Sequence, residues 1–355
     1  MRVIQLIDSL RSGGAERMAV NYANALAKRI DESYLCCTRM EGLLKKKLSP
    51  EVGYLFLDKK KTLDIKAFRK LRRFVKEHKI DLIQAHSSSW FLALMIKWSL
   101  PRVKLIWHDH YGRELQGRKV GILKYASKNF DGILSVNSEL LEWSKKNLRS
   151  KKIAYFRNFL LNDQRIPEDI DYKNFIHGSV FNIICLANLR PQKDHLNLLK
   201  AFKIVSENHA KTSLHLVGKD ENDEYSKSIR DFIASNALEE KVFIYGEQEK
   251  VEFFLGQADL GILSSVSEGL PLALLEYGRA GLPVVSTKVG QCEEILREKG
   301  LLAPPGDSLK LAECICHYIE KEESRKSDAA SFKRYVKEEF SEEVVMSSYI
   351  TYFNQ

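Results

Sequence analysis

Residues 264–290 constrain the fold more than any other part of this sequence. The apolar run Leu260–Leu263 before them predicts a buried strand, residues 271–277 predict a helix with Pro271 in its first turn, and Val284–Thr287 predicts a second strand. A strand–helix–strand unit of this length closes right-handed. Its ligand site lies at the carboxyl edge of the sheet, where the helix N-terminus presents free N–H groups. The stretch therefore predicts an α/β fold with an anion site.

Two carboxylates bracket that site, Glu268 in the turn and Glu276 in the helix. A carboxylate accepts two hydroxyl hydrogen bonds at once, which suits the vicinal hydroxyls of a ribose or a sugar ring. The N–H groups of Gly269, Leu270 and Leu272 are placed to bind phosphate. The alternative is a turn glutamate and a solvated helix glutamate, since this spacing is common.

The whole phrase, S-E-G-L-P-L-A-L-L-E-Y-G-R-A-G-L-P-V-V-S-T-K-V-G, resembles the donor-site motif of the retaining glycosyltransferases of family 4. That family has the GT-B fold of two facing Rossmann-like α/β domains with parallel sheets. The resemblance implies that Glu268 lies beside the donor sugar and that Glu276 holds the nucleotide ribose. It also implies retention at the anomeric carbon and a nucleotide-sugar donor, for which we expect UDP.

Length and composition agree with two α/β domains, because 355 residues with 44% hydrophobic content exceed one ordinary core. We expect an N-terminal acceptor-side domain at residues 1–165, a nucleotide-sugar-binding domain at 176–340, and a C-terminal helix at 341–355. The resemblance implies that this helix crosses back to the first domain. The polar segment between the domains contains Asp169 and Asp171, which we interpret as an acidic linker rather than a metal site.

Cysteine spacing indicates neither a zinc site nor a disulfide framework, so a reducing cytoplasm is the expected compartment. The longest apolar stretch, Trp90–Ile96, is too short to cross a membrane, and no secretion signal or anchor is expected.

Net charge is divided unevenly along the chain. Residues 1–165 carry +18 and residues 166–355 carry −9, counting Lys and Arg against Asp and Glu. The basic patches are Lys45–Lys47, Lys59–Lys61, the cations of residues 66–76, and Arg113, Arg118 and Lys119. Each patch alone fits a solvated helix face, but together they indicate an anionic partner surface.

A helix predicted at residues 63–78 has apolar residues at helical spacing, namely Ile65, Phe68, Leu71 and Val75. Its cations could touch lipid headgroups, with Trp90, Phe91 and Trp98 of the next helix as interfacial anchors. The alternative is that these aromatic residues are buried.

Near the N-terminus, the first strand leads into a glycine-rich turn that contains Gly13 and Gly14. These glycines would let the backbone approach a ligand closely, although a plain loop fits as well. The G-G-A-E phrase resembles the first loop of family 4 enzymes. The resemblance implies that Gly13 and Gly14, and less directly Glu16, contact the donor.

The strand predicted at residues 103–107 delivers His108, Asp109 and His110 to the carboxyl edge of the first sheet. The two histidines share one face of the strand. Without a third ligand they make a poor metal site, so no metal is expected. The resemblance aligns His110 with a histidine that reaches the donor sugar; the alternative is a structural histidine.

In the second domain, Arg190 and Lys193 follow the predicted strand at residues 181–186 and could neutralise a diphosphate. The family pattern G-R-L-x-P-x-K-G aligns with Pro191 and Lys193, but Asn188 stands where the arginine is usual. Lys193 therefore takes the family role, and Arg190 would have to reach in from a neighbouring position.

Together with the resemblance, which implies retention and no need for a metal, the sequence predicts a retaining glycosyltransferase without a cofactor. Its catalytic residues would be Glu268, His110, Lys193 and Arg190. The acceptor is expected to be a lipid-linked glycan of bacterial surface polysaccharide synthesis, at the inner face of the cytoplasmic membrane, with no nucleic acid as partner. Two alternatives remain: a nucleotide-sugar epimerase or hydrolase of the same fold, and a non-catalytic protein that binds membrane surfaces or nucleic acid.

Overall fold

The computed structural model describes residues 1–111, 115–161 and 180–354. The chain divides into two compact units, unit 1 with Met1–Leu161 and Glu342–Gln355, and unit 2 with Asn162–Ser341. The predicted linker with Asp169 and Asp171 lies outside the described residues, as does Arg113 of the predicted basic patches. No helix in the described ranges combines the length and apolar character needed to cross a membrane.

Unit 1 is built on a parallel sheet whose described strands run in the order β3-β2-β1-β4-β5-β6-β7. The strands are β1 (Arg2–Ser9), β2 (Glu32–Met40), β3 (Gly53–Phe56), β4 (Leu82–His86), β5 (Lys104–Asp109), β6 (Gly132–Ser135) and β7 (Ile153–Tyr155). The order reverses between β1 and β4. In open parallel sheets, ligands bind at the carboxyl ends of the strands beside such a reversal.

Helices cover both faces of this sheet. They are α1 (Gly14–Ala27), α2 (Ile65–Glu77), α3 (Trp90–Ser99), α4 (Leu123–Ala126) and α5 (Ser138–Asn147). Helix α2 begins after Asp64, whose side chain accepts a hydrogen bond from the Ala67 amide, and it buries Ala67, Leu71 and Val75. Ile65, the first residue of the predicted apolar stripe, is 68% exposed, and the buried residues of the helix begin at Ala67.

Unit 2 repeats the plan with a parallel sheet in the order β10-β9-β8-β11-β12-β13. Its strands are β8 (Phe181–Leu186), β9 (Thr212–Val217), β10 (Val242–Gly246), β11 (Leu260–Leu263), β12 (Val284–Thr287) and β13 (Leu301–Ala303). Its helices are α6 (His195–Asn208), α7 (Glu224–Ser235), α8 (Val251–Gln257), α9 (Leu272–Ala280), α10 (Cys292–Leu296), α11 (Ser308–Glu320) and α12 (Glu322–Glu339). The order reverses between β8 and β11, so the loops after these two strands flank the expected site.

The last helix, α13 (Glu342–Asn354), belongs to unit 1. Glu342 is buried and pairs with Arg29 at 2.6 Å, just after the end of α1. The buried Tyr349 hydroxyl donates to the side-chain oxygen of Gln84 on β4. These contacts tie the C-terminal helix to the same sheet face that α1 covers.

Two elements extend beyond their predicted ends. Strand β5 continues to Asp109, two residues beyond the predicted end, because His108 and Asp109 still pair with β6. Helix α9 runs through Gly278, beyond the predicted end at residue 277, and ends before Gly281, whose φ is 79°. A side chain at Gly278 would meet Phe332 and Val336 of α12, so the close packing of these two helices requires a glycine at this position.

Candidate functional site

In unit 2, the loops after β8 and β11 bring Lys193 and Glu268 together. The Lys193 ammonium lies 2.5 Å from Oε1 of Glu268, and the two side chains are 23% and 7% exposed. The Ser265 hydroxyl donates to the same carboxylate oxygen at 2.6 Å. The pair is therefore held at the carboxyl edge of the sheet, where an anion was predicted.

The Glu268 turn is braced from both sides. The Gln192 side chain donates to the Ser267 carbonyl at 2.7 Å, and the Val266 amide donates to the Gln192 carbonyl at 2.9 Å. On the other side the Gln291 amide donates to the Gly269 carbonyl at 3.1 Å. A turn fixed in this way holds its carboxylate in place before any ligand arrives.

Beneath this edge, Tyr277 of α9 ties β8 to β11. Its hydroxyl accepts a hydrogen bond from the Leu186 amide at 2.7 Å and donates to the Ile262 carbonyl at 3.1 Å. Burial raises the pKa of the Tyr277 hydroxyl well above its ordinary value, so the phenol stays neutral.

Glu276 lies in the second turn of α9 and is buried. Leu272, the first residue of the same helix, and Leu270, in the turn before it, are also buried, and Gly269 precedes them. The first amides of a helix have no partner within the helix, and they carry the positive end of its dipole. Helix α9 thus combines amide donors at its N-terminus with a carboxylate one turn further on.

Arg190 is exposed, and it lies at the beginning of the turn that carries Lys193. Asn188, which stands where the family arginine was expected, accepts a hydrogen bond from the Lys219 amide at 2.9 Å. Asn188 therefore braces the loop after β9 against the loop after β8. The structure gives Arg190 the exposure it would need to reach a ligand.

In unit 1, Gly13 follows β1 and caps α1, and Gly14 is the first residue of α1 rather than part of the predicted turn. A side chain at Gly13 would overlap the Glu16 carboxylate, whereas the space around Gly14 is open to 4 Å. Gly14 could therefore admit a ligand close to the backbone.

The side chains of His108, Asp109 and His110 are divided between the two faces of the sheet. Asp109 forms a two-pronged ion pair with Arg118 at 2.6 and 3.0 Å, and this arginine lies against Trp143 at 4.0 Å and Tyr111 at 4.3 Å. Burial raises the pKa of Asp109, while Arg118 opposes the shift. Arg118 is thus an internal cation and not part of a free basic patch.

His108 and His110 are joined by His86, at the end of β4. One ring nitrogen of each histidine lies within 4.8 Å of the other two. This strand end therefore has a third potential ligand, His86, which the spacing along the chain did not indicate. Burial lowers the pKa of all three rings, that of His110 to about 3, so the imidazoles are neutral.

Next to this cluster is a cavity of about 760 Å³, and His110 forms part of its wall. Trp90, Trp107 and Tyr111 line it as well, together with the aliphatic residues Val120 and Leu123. Aromatic walls with a few polar groups are typical of sites for small organic ligands.

Two family models match the chain. The model described as Glycosyltransferase Family 4 matches residues 12–160, and the model described as Glycosyl transferases group 1 matches residues 168–336. The chain belongs to glycosyltransferase family 4, group 1.

Relatives of this glycosyltransferase with curated activities are about a quarter identical to it over the aligned residues. The N-acetyl-α-D-glucosaminyl L-malate synthase of Bacillus anthracis is 27% identical over 241 residues, which are 65% of this chain and 61% of that protein. A Campylobacter jejuni enzyme is 24% identical over 92% of this chain and 91% of its own length. Its name is GalNAc-α-(1→4)-GalNAc-α-(1→3)-diNAcBac-PP-undecaprenol α-1,4-N-acetyl-D-galactosaminyltransferase.

A solved structure confirms the fold. Anabaena HepE, crystallised in complex with UDP and glucose, superimposes with a TM-score of 0.83 at 20% identity and covers 100% of this chain and 99% of its own. The glycosyltransferase therefore has the GT-B fold with two parallel-sheet Rossmann-like domains, as predicted.

Sequence reasoning missed three groups at the two strand edges of this glycosyltransferase: Ser265, Gln192 and His86. Ser265 and Gln192 lie close in sequence to Glu268 and Lys193, which were predicted as site residues. That proximity was the signal that could have found them. His86 lies at the end of β4, and its contact with His110 depends on the register between β4 and β5.

Proposed function

We propose that this glycosyltransferase transfers a sugar from a UDP-sugar to a lipid-linked glycan, with retention at the anomeric carbon, in the synthesis of a bacterial surface polysaccharide. The observation that carries the proposal is the Lys193–Glu268 pair beside the N-terminus of α9, with Glu276 buried in the same helix. The UDP and glucose bound to HepE support the donor class, and the diphosphoundecaprenol in the Campylobacter enzyme's name supports the acceptor class.

The leaving diphosphate would bind at Lys193 and the first amides of α9. An ammonium has three N–H groups, so Lys193 keeps two donors beyond its contact with Glu268. Fixed donors at the point where negative charge develops are among the largest contributions to catalysis. Arg190, exposed on the same turn, adds a second cation. We propose that these groups act in place of a metal ion in the transfer step.

Glu276 would accept hydrogen bonds from the ribose hydroxyls, and Glu268 would lie beside the donor sugar. Glu268 already bonds to Lys193 and Ser265 through the same oxygen, Oε1, which leaves Oε2 for the sugar hydroxyls. This arrangement suits positioning better than nucleophilic attack. We therefore propose attack by the acceptor on the face that the diphosphate leaves, through an oxocarbenium-like state.

The acceptor would occupy the cavity of unit 1. Its aromatic wall of Trp90, Trp107 and Tyr111 offers stacking surfaces for sugar rings, and His110 lies at its edge. We assign His110 to contact with the reacting sugars, and Gly13 and Gly14 to the donor, following the family resemblance.

We propose that unit 1 contacts the membrane through a surface that we call the docking surface. Its exposed apolar members are Trp98, Ile122 and Tyr125, which are 60%, 67% and 61% exposed, and its exposed cations are Lys119, Lys124 and Lys128. Trp98 contacts Asn129, one residue after Lys128, through its indole N–H at 3.4 Å, so the two segments adjoin. Aromatic side chains interleaved with lysines are typical of interfacial membrane binding.

The test is sugar transfer from labelled UDP-sugars to a bacterial lipid extract. We expect label in the lipid fraction with one donor, and an anomeric configuration in the product equal to that of the donor by NMR. Free labelled sugar or an epimerised donor without acceptor would favour the hydrolase or epimerase alternative. Binding to no nucleotide sugar at all would favour the non-catalytic alternative.

A further inference from the structure

A stripe of polar side chains crosses the centre of the unit 1 sheet on one face. Gln5 on β1 pairs in register with Gln84 on β4, and His86 on β4 pairs with His108 on β5. Because alternate residues of a strand share a face, Gln84 and His86 lie on the same side, and His110 continues the line beyond His108. Tyr22 of α1 covers the stripe, with its ring centroid 5.4 Å from that of His108.

The three histidines of this stripe form a compact group, which we call the histidine cluster. Ring centroids lie 5.2 Å apart for His86 and His108, 5.1 Å for His86 and His110, and 4.1 Å for His108 and His110. His86 and His108 are completely buried. In the part of the chain that the structure describes, this is the group whose nitrogen, sulfur or carboxylate atoms are close enough to share one metal ion.

Hydrogen bonds orient the cluster but do not complete it. Nε2 of His86 donates to the Gln5 side-chain oxygen at 2.7 Å, so its Nδ1 carries the lone pair and faces Nε2 of His110 at 2.9 Å. Among the described residues, three buried polar atoms around the cluster have no hydrogen-bond partner: Nε2 of His108, Nε2 of Gln5 and the Tyr22 hydroxyl. A buried polar atom without a partner is destabilising, and an additional ligand at the cluster would satisfy such atoms.

We propose that His86, His108 and His110 bind one Zn²⁺ ion. Neutral imidazole is a preferred ligand of Zn²⁺, and three histidines with a fourth position for water or a hydroxyl make a four-coordinate site. Tetrahedral bonds of 2.0–2.1 Å place ligand nitrogens about 3.3–3.4 Å apart, so small side-chain shifts from the present spacing suffice.

The surrounding amides match the outer shell of such a site. Metal-binding histidines donate their second ring N–H to a carbonyl or carboxylate. Gln5 already accepts from His86 in this way. Gln84 lies 3.0 Å from Nδ1 of His108, and Tyr349 bonds to the same amide. If the side-chain amide of Gln84 is turned over, its oxygen accepts a hydrogen bond from Nδ1–H of His108 and its NH₂ group donates to the Tyr349 hydroxyl. Nε2 of His108 is then available to bind the metal.

The ion would fix His110 at the wall of the cavity in unit 1. This role is separate from the diphosphate site of unit 2, and the metal inference does not rest on the proposed transfer reaction. Its test is accordingly a measurement of metal and not of activity.

The experiment uses the full chain without a histidine tag, incubated with Zn²⁺, passed over a desalting column and analysed for metal. We expect about one zinc per chain, and intense visible absorption typical of four-coordinate cobalt after Co²⁺ replacement. His108→Gln should abolish both signals. Gln5→Leu keeps all three ligands and should weaken zinc binding about 10–100-fold.

His78→Gln is the matched control, because His78 lies in the same unit but bonds to Tyr34, outside the cluster. It should retain about one zinc per chain, as the wild type does. Zinc below about 0.1 per chain in the wild type, or equal zinc in wild type and a folded His108→Gln, would overturn the proposal. Should His108→Gln fail to fold, the wild-type zinc content and cobalt spectrum still decide.

Discussion

Lys193 and Glu268 come from loops 75 residues apart, and their backbones are fixed before the side chains meet. Asp194, next to Lys193, has a left-handed backbone with φ 48°, and its side chain caps α6 by accepting from the Asn197 amide. The lysine is therefore anchored to a helix start, where flexibility is low. An ammonium held in this way can donate to a diphosphate without losing much side-chain entropy on binding.

Lys193→Met should lower kcat strongly. Removal of one fixed donor to a developing anion costs about 10²–10³-fold in turnover. The ammonium is partly exposed, so the loss of stability should be smaller than the loss in the activation free energy. Steady-state kinetics on the best donor and thermal unfolding would measure the two effects. Lys200→Met, on the exposed side of α6, is the control, and a Lys193→Met enzyme with wild-type turnover would contradict the diphosphate role.

Glu276→Gln should weaken binding of UDP by about 1–3 kcal/mol, because a hydrogen bond to a charged group contributes this much. Glutamine keeps the size of the side chain, so the buried position can be filled without a cavity. Calorimetric titration with UDP measures the change. Glu294→Gln, at an exposed position of α10, should bind UDP as the wild type does. Equal affinity in Glu276→Gln and wild type would exclude the ribose role.

For individual residues, the sequence was sufficient to predict the positions of those that share one βαβ unit. Glu268 and Glu276 lie on the turn and helix of a single motif, so local pattern was enough to position them. The contact between Lys193 and Glu268 requires that β8 and β11 be neighbours, which follows from the order of the whole sheet. His86 was missed for the same reason, since its partners follow from strand register and not from spacing along the chain.

Among the structural elements, the turn after β12 controls the Glu268 turn through one glycine. Gly290 has φ 50°, in the left-handed region, and a Cβ atom there would lie 2.0 Å from the Glu268 carbonyl oxygen. The β12 turn and the β11 turn are thus in direct backbone contact. The carboxylate that meets Lys193 depends on this contact for its position.

Gly290→Ala should therefore reduce donor binding as well as stability, because the Glu268 turn must move to admit the new methyl group. Gly246→Ala is a matched control: its φ of 67° imposes similar strain, but no atom lies within 4 Å of the added Cβ. Both variants should lose about 1 kcal/mol or more of stability from strain in urea unfolding. UDP affinity should fall only in Gly290→Ala. A parallel loss in both variants would mean that the contact with Glu268 has no special importance.

Element ends were less predictable than the elements themselves, and packing explains why. Gly278 carries the local signal of a helix end, yet it lies within α9 and packs closely against α12. Strand β5 is extended because β6 continues to pair with His108 and Asp109. In both cases the deciding partner is distant in sequence, and local propensity is overridden.

For the whole molecule, the predicted basic patches have to be corrected for cations that the fold uses internally. Lys59 is buried, and burial lowers its pKa. Arg118 is bound to Asp109, and Lys45 is paired with Glu41 at 2.8 Å. Asp109 and Glu41 are already counted in the +18 of residues 1–165, so pairing does not lower that sum, but it shows that these cations do not form free basic patches. The docking surface remains exposed, and it combines charge with apolar side chains.

The docking surface predicts how the protein responds to lipid composition. An exposed lysine near an anionic membrane is worth about 1 kcal/mol, so the loss of two lysines alone should weaken binding about 30-fold, and the repulsion of the two glutamates that replace them should weaken it further. The variant is Lys124→Glu with Lys128→Glu in the full chain. Lys200→Glu with Lys227→Glu changes net charge equally on exposed sites of unit 2 and serves as the control. Sedimentation with vesicles of graded phosphatidylglycerol content measures the binding.

Wild-type binding should rise with anionic lipid and fall as salt screens the attraction, because the screening length shrinks to about 8 Å at physiological ionic strength. Trp98→Ala should weaken binding at every salt concentration, since its 60% exposed side chain contributes apolar contact that salt does not screen. The control double variant should bind as the wild type does. If neutral and anionic vesicles recover the wild type equally at low salt, charge does not direct this enzyme to membranes, and a soluble acceptor becomes the better hypothesis.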